Sequence, residues 1–217
     1  MEELDPDELA VHPGLPRAVA WVATLNAGYF VIEFTVALAI GSVSLFADSV
    51  DFLEDAAVNL LVLLALGWPA RRRALMGGVL GLMLLAPSVG TLWTAWQKLG
   101  APIAPSAVPL TLAGLGALVV NVGCAWMLLR WRAARGSLTR GAFLSARNDA
   151  IANVAIVAAG VVTAVYPTPW PDLAVGIGIF LINLNATREI WEAALKEFHP
   201  TTPRPPAGEV AEHKRRG

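Results

Sequence analysis

Cysteine is almost missing: the 217 residues contain one, Cys124, which excludes an internal disulfide framework and a thiolate zinc site. Charge is scarce too, at 15% of residues against about 25% in an ordinary soluble domain. No long basic stretch occurs and the net charge is −1, so nucleic acid is not an expected partner. The opening residues, Met1-Glu2-Glu3-Leu4-Asp5, are acidic where a signal peptide is basic, so no cleaved leader is expected.

Hydrophobic residues make up 56% of the chain. The few charges crowd at the ends: six in residues 1–17 and eleven in residues 188–217, leaving sixteen for the 170 residues between. A body this long and apolar reads as an integral membrane protein, all-α, with two short polar tails.

A helix crossing about 30 Å of hydrocarbon needs about 20 apolar residues. Six segments qualify, roughly 18–40, 43–67, 74–97, 107–129, 142–165 and 171–188. The third and fourth are uncharged; the first, second and fifth contain acids; the sixth is the shortest uncharged run, Leu173 to Thr187. Pro69 with Arg71-Arg72-Arg73, the stretch Lys98 to Pro105, Gly136, and the trio Pro167, Pro169 and Pro171 mark breaks between spans. The organisation expected is an acidic tail over 1–14, a six-helix membrane domain over 15–199 and a disordered cytoplasmic tail over 200–217.

Lys and Arg in short loops set the orientation. Loop 2–3 has Arg71, Arg72 and Arg73, and loop 4–5 has Arg130, Arg132, Arg135 and Arg140, against Lys98 alone on the other side. Both termini are therefore expected in the cytoplasm. Trp21, Trp68, Trp93, Trp96, Trp131 and Trp170 fall near span ends, where interfacial aromatics belong.

The second span contains Asp48, Asp51, Glu54 and Asp55 within eight residues. An acid at a helix centre costs about 3 kcal/mol on insertion scales, so four approach about 10 kcal/mol before relief. A bound cation, protonation, water or a basic partner are the ways to offset it. At 100° per residue, Asp48, Asp51 and Asp55 form one stripe, and Glu54 sits to one side. Two carboxylates at i and i+4 can clamp one divalent cation with hard oxygen ligands. The fifth span repeats the spacing with Ser145 and Asp149. Depths agree: Asp55 and Asp149 each lie about 10 Å from the inner edge.

The run Ser42-Val43-Ser44-Leu45-Phe46-Ala47-Asp48, with Asp51 and Asp55, resembles the second span of the cation diffusion facilitators. Asp149 with Asn153 resembles the end of that family's fifth-span motif, and Asn26 and Glu33 sit where its first span tends to be polar. The resemblance covers roughly residues 15–200. It implies a six-span divalent-metal/proton antiporter, working as a homodimer in the cell (inner) membrane, with metal held by Asp51, Asp55 and Asp149. Two departures stand out. Zinc-type members usually have His where this chain has Ser145, which weakens the case for zinc and strengthens that for a harder ion such as Mn²⁺, Fe²⁺ or Co²⁺, leaving Zn²⁺, Mn²⁺, Fe²⁺, Co²⁺ and Cd²⁺ all open. Most members continue into a cytoplasmic metal-sensing domain, whereas about thirty residues remain here, so that domain is expected to be absent.

Asn148 is a substitute fourth ligand in type, but it points about 100° from Asp149. Blander roles stand beside these. The three aspartates could instead form a buried polar network with Arg147, an arginine near enough to the inner interface to snorkel. Asp48 fits helix–helix hydrogen bonding or a proton path, Glu54 packing or proton relay, and Glu33 structure or pathway; Asn153 most often joins helices. An enzyme is not expected. The rival functions are a metal-binding or scaffold subunit without transport and, further off, an intramembrane aspartyl hydrolase pairing Asp51 or Asp55 with Asp149. The Gly-x-Gly-Asp type motif of such hydrolases is missing. No cofactor is expected beyond the transported cation. The expected partners are that ion, protons, lipid and a second copy of the chain.

Overall fold

The structure is a computed structural model. It describes residues 14–64, 75, 89–129 and 137–182, without the side chains of residue 62 and of residues 137–147. The two tails of the expected organisation lie outside this set.

The described residues contain helices and no strand. They are α1 (Leu15–Ile40), α2 (Val43–Leu64), α3 (89–100), α4 (Ala107–Leu129), α5 (Ser137–Val165) and α6 (Trp170–Ile182). Leu15–Ile40, Ala107–Leu129 and Asn148–Val165 are each long and apolar enough to cross a membrane. Val43–Leu64 has the length, but its four acids depress its hydropathy, as the sequence indicates.

Proline opens α1 and glycine closes it. Gly41 takes the left-handed conformation, φ 64°, and its N–H and that of Ser42 turn back to the Ala37 carbonyl. Two residues therefore reverse the chain, and α1 and α2 pack antiparallel. Phe34 meets Phe46 at 5.2 Å and Tyr29 meets Phe52 at 5.0 Å between ring centroids.

The second close pair is α4 and α5. Lipid gives helices no hydrophobic incentive to associate, so close packing of small residues decides. A Cβ on Gly114 would lie 2.9 Å from Ile156, and one on Gly160 would collide with Thr111. The two pairs join through α1 on α4, and less broadly through α2 on α5. Their shared core holds Ala37, Leu45, Phe46, Leu110, Ala113 and Ile156, with Ile179 of α6. Large apolar side chains such as Val31, Leu112, Val119 and Val154 point outward, an arrangement suited to lipid.

Two boundaries differ from the sequence reading. Lys98, assigned there to a loop, lies inside α3, because its ammonium is held by acceptors within the protein. The sixth span, read as roughly 171–188, starts one residue earlier at Trp170, and the charge of Asp172 in its first turn is neutralised by that lysine.

Candidate metal centre

Helix α2 is asymmetric along its length. Every residue from Ser42 to Val50 is buried. Asp51, Leu53, Glu54 and Asp55 are only partly so. On the orientation set by the basic loops, the sealed half is the outer one and the acids begin where the seal ends.

Asp51 lies within electrostatic reach of Asp149 on α5, and of Asp48, Glu54 and Asp55 on its own helix. Asp149 is itself half-buried, and its helix packs against α2. Asp55 is one turn beyond Asp51, about 6 Å along the axis, and reaches toward Glu54, Asp48 and Cys124 of α4. The two helices thus bring carboxylates of opposite sequence origin together at one depth. Among the described residues no three His, Cys, Asp or Glu side chains close into a set able to hold a metal. The Ser145 and Arg147 side chains lie outside the described residues.

The supporting acids separate into two environments. Glu33 and Asp48 are wholly buried neighbours between α1 and α2, close enough to hydrogen-bond to each other, and neither carboxyl has a further partner among the described residues. Asn26 and Asn153 are buried too, without a side-chain partner among the described residues. Asn153 is one turn from Asp149, while Asn148 is exposed. Glu54 is half-buried to one side. Such groups in a membrane interior are functional by default.

Sequence reasoning missed one cluster entirely. Asp172 accepts hydrogen bonds from the Ser42 and Ser44 hydroxyls at 2.6 Å each, and from the Val43 and Ser44 backbone N–H groups at 3.0 and 3.2 Å. Lys98 donates to it at 2.6 Å and to the Gly41 carbonyl at 2.7 Å. The readable signal was a matched pair of lone charges, one acid and one base, beside two outer connections.

Helix length, exposed apolar surface and carboxylates buried between helices define an all-α, multi-pass integral membrane protein. The chain belongs to the cation efflux family: the family's transmembrane domain matches residues 19–196. It is 28% identical over 185 residues to the zinc transporter ZitB of Pectobacterium atrosepticum, covering 80% of this chain and 57% of that protein. It is 22% identical over 171 residues to the zinc transporters ZitB of Yersinia pseudotuberculosis and Yersinia pestis, covering 73% of this chain and 54% of each. The chain therefore spans about half the length of the curated relatives it matches.

Proposed function

We propose that this chain carries divalent metal cations out of the cytoplasm in exchange for protons, with both termini cytoplasmic and the metal bound between α2 and α5. The observation that carries the reading is the approach of Asp51 to Asp149 where the buried half of α2 gives way to its partly exposed half. Asp55, one turn along α2, joins them when the carboxylates close around the ion, and Ser145 or water fills the remaining position. Family membership and the zinc-transporter relatives support a transported metal.

Carboxylates must be deprotonated to ligate, so metal affinity and proton load are linked. Affinity is high at higher pH and falls as pH falls. Metal enters from the cytoplasm, the site becomes accessible outward, protonation there weakens the carboxylate ligands, and the proton returns inward. The protein is assigned to the cell (inner) membrane and works as a homodimer. Zinc is the first ion to try, since the relatives are zinc transporters; oxygen-only ligands also suit Mn²⁺, Fe²⁺, Co²⁺ and Cd²⁺ in decreasing hardness of fit.

The test is metal flux into proteoliposomes under a pH gradient, comparing parent with Asp51→Asn and Asp149→Asn variants of confirmed fold. Flux in the parent and its loss in both variants is the expected result. Undiminished flux in either variant would sink the site assignment. Metal binding without flux in the parent would point to a non-transporting subunit.

A further inference from the structure

The Lys98–Asp172 cluster joins one residue from beside each of three outer connections. Gly41 and Ser42 form the α1–α2 turn, Lys98 lies in the last turn of α3, and Asp172 lies in the first turn of α6. Asp172 is fully buried and does for α2 what its own N-cap would do: it accepts from the first two backbone N–H groups of the helix. Lys98 is 7% exposed and holds both that carboxylate and the Gly41 carbonyl that ends α1. Two further contacts reinforce the joint. Val43, Ala95 and Leu173 form a buried apolar cluster across α2, α3 and α6. At Gly176, one turn below Asp172, a Cβ would lie 2.7 Å from the Ser44 nitrogen, so the α6 backbone rests on the start of α2.

Opening this joint would break a buried ion pair together with the four further hydrogen bonds that Asp172 accepts and the one Lys98 gives to Gly41, which is unfavourable. We propose that Lys98 and Asp172 form a permanent fastener that keeps the outer ends of α1, α2, α3 and α6 together throughout the transport cycle. Outward access to the acidic site then arises on the other side of the seam between α2 and α5, by displacement of the tightly packed α4–α5 pair. Lys98 and Asp172 are positioning residues, touching no cargo. The inference rests on the carrier reading above, but its first readout does not.

The experiment uses the full chain in native membranes, with Cys124→Ser removing the one native cysteine and Val43→Cys with Leu173→Cys placed under the fastener. Crosslinking by a short bifunctional thiol reagent is timed at one fixed pH, with and without zinc, because thiol reactivity itself changes with pH. Rates that agree within about twofold with and without zinc are expected; a change of about tenfold would show the joint opening and overturn the proposal. The crosslinked protein is then assayed for flux, which should stay within about twofold of the uncrosslinked protein. Flux blocked by the crosslink and restored by reductant would also overturn it. Adding Asp172→Asn to the folded pair should slow crosslinking by about fivefold or more; an unchanged rate would assign the joint to the apolar cluster and remove the fastener. Absence of flux in the parent would defeat the carrier reading alone and leave the crosslinking rates to decide on the joint.

Discussion

Tyr29 of α1 lies across Gly116 of α4 and donates its hydroxyl to the Ala113 carbonyl at 2.5 Å. The glycine is what lets the ring reach that oxygen, since a Cβ on Gly116 would overlap the phenol. Tyr29→Phe should lower stability by about 0.5–1.5 kcal/mol, the net worth of one hydrogen bond. Gly116→Val should cost more, about 1–3 kcal/mol, by forcing the ring aside. Thermal unfolding of the purified protein in detergent orders the two; the reverse order would contradict this packing.

The α4–α5 pair should be sensitive at glycines that touch and indifferent at one that does not. Gly160→Leu meets the Thr111 backbone and should destabilise by about 3 kcal/mol or prevent folding. Gly123→Ala meets nothing within 4 Å and should leave the unfolding midpoint unchanged or slightly raised. Equal losses at both positions would mean that close helix approach is not what joins the pair.

Glu33 and Asp48 share a dry site with no basic residue as hydrogen-bond partner. Glu33→Gln keeps shape and removes the ionisable group, so stability should hold or rise by about 1 kcal/mol. Glu33→Ala leaves a void and should cost about 2 kcal/mol. A large loss with Gln would reveal that the negative charge itself is needed. Proton-driven flux measured on the same Gln variant separates a packing role, with flux unchanged, from a pathway role, with flux reduced.

Ser145 stands where an imidazole would suit zinc. On the carrier reading, Ser145→His should raise preference for Zn²⁺ over Mn²⁺ by roughly tenfold, about 1.4 kcal/mol. Competition flux with the two ions checks it. No change in the ratio would remove residue 145 from the coordination sphere.

The sequence was most readable where charge broke an otherwise apolar pattern. Ala107 to Leu129 carries no charge, and the structure describes the whole run as one helix. Helical rise matched Asp55 with Asp149 in depth and the family resemblance added Asp51, which lies within electrostatic reach of Asp149. Lys98 and Asp172 escaped because each looks ordinary locally, a lysine before a Gly-Ala-Pro break and an aspartate after proline. Only the fold, which closes 74 residues between them, makes them a pair. The same holds for Tyr29 and Ala113, joined across 84 residues by a hydrogen bond that no periodicity announces. Hydropathy reports what faces lipid, and long-range polar pairing inside the bundle leaves almost no trace in it.

The sealed stretch of α2 from Ser42 to Val50 is about 13 Å long along its axis. On the carrier reading this stretch is an electrical insulator across which the membrane voltage mainly falls, rather than across the partly exposed acidic half. An ion at Asp51 therefore sits near the cytoplasmic potential until the far side opens. On the efflux reading, exchange of one divalent cation for one proton moves a net charge outward against an inside-negative voltage, about 2.3 kcal/mol per 100 mV. Exchange for two protons moves none. The voltage dependence of flux across this short dry plug thus counts the protons returned for each metal expelled.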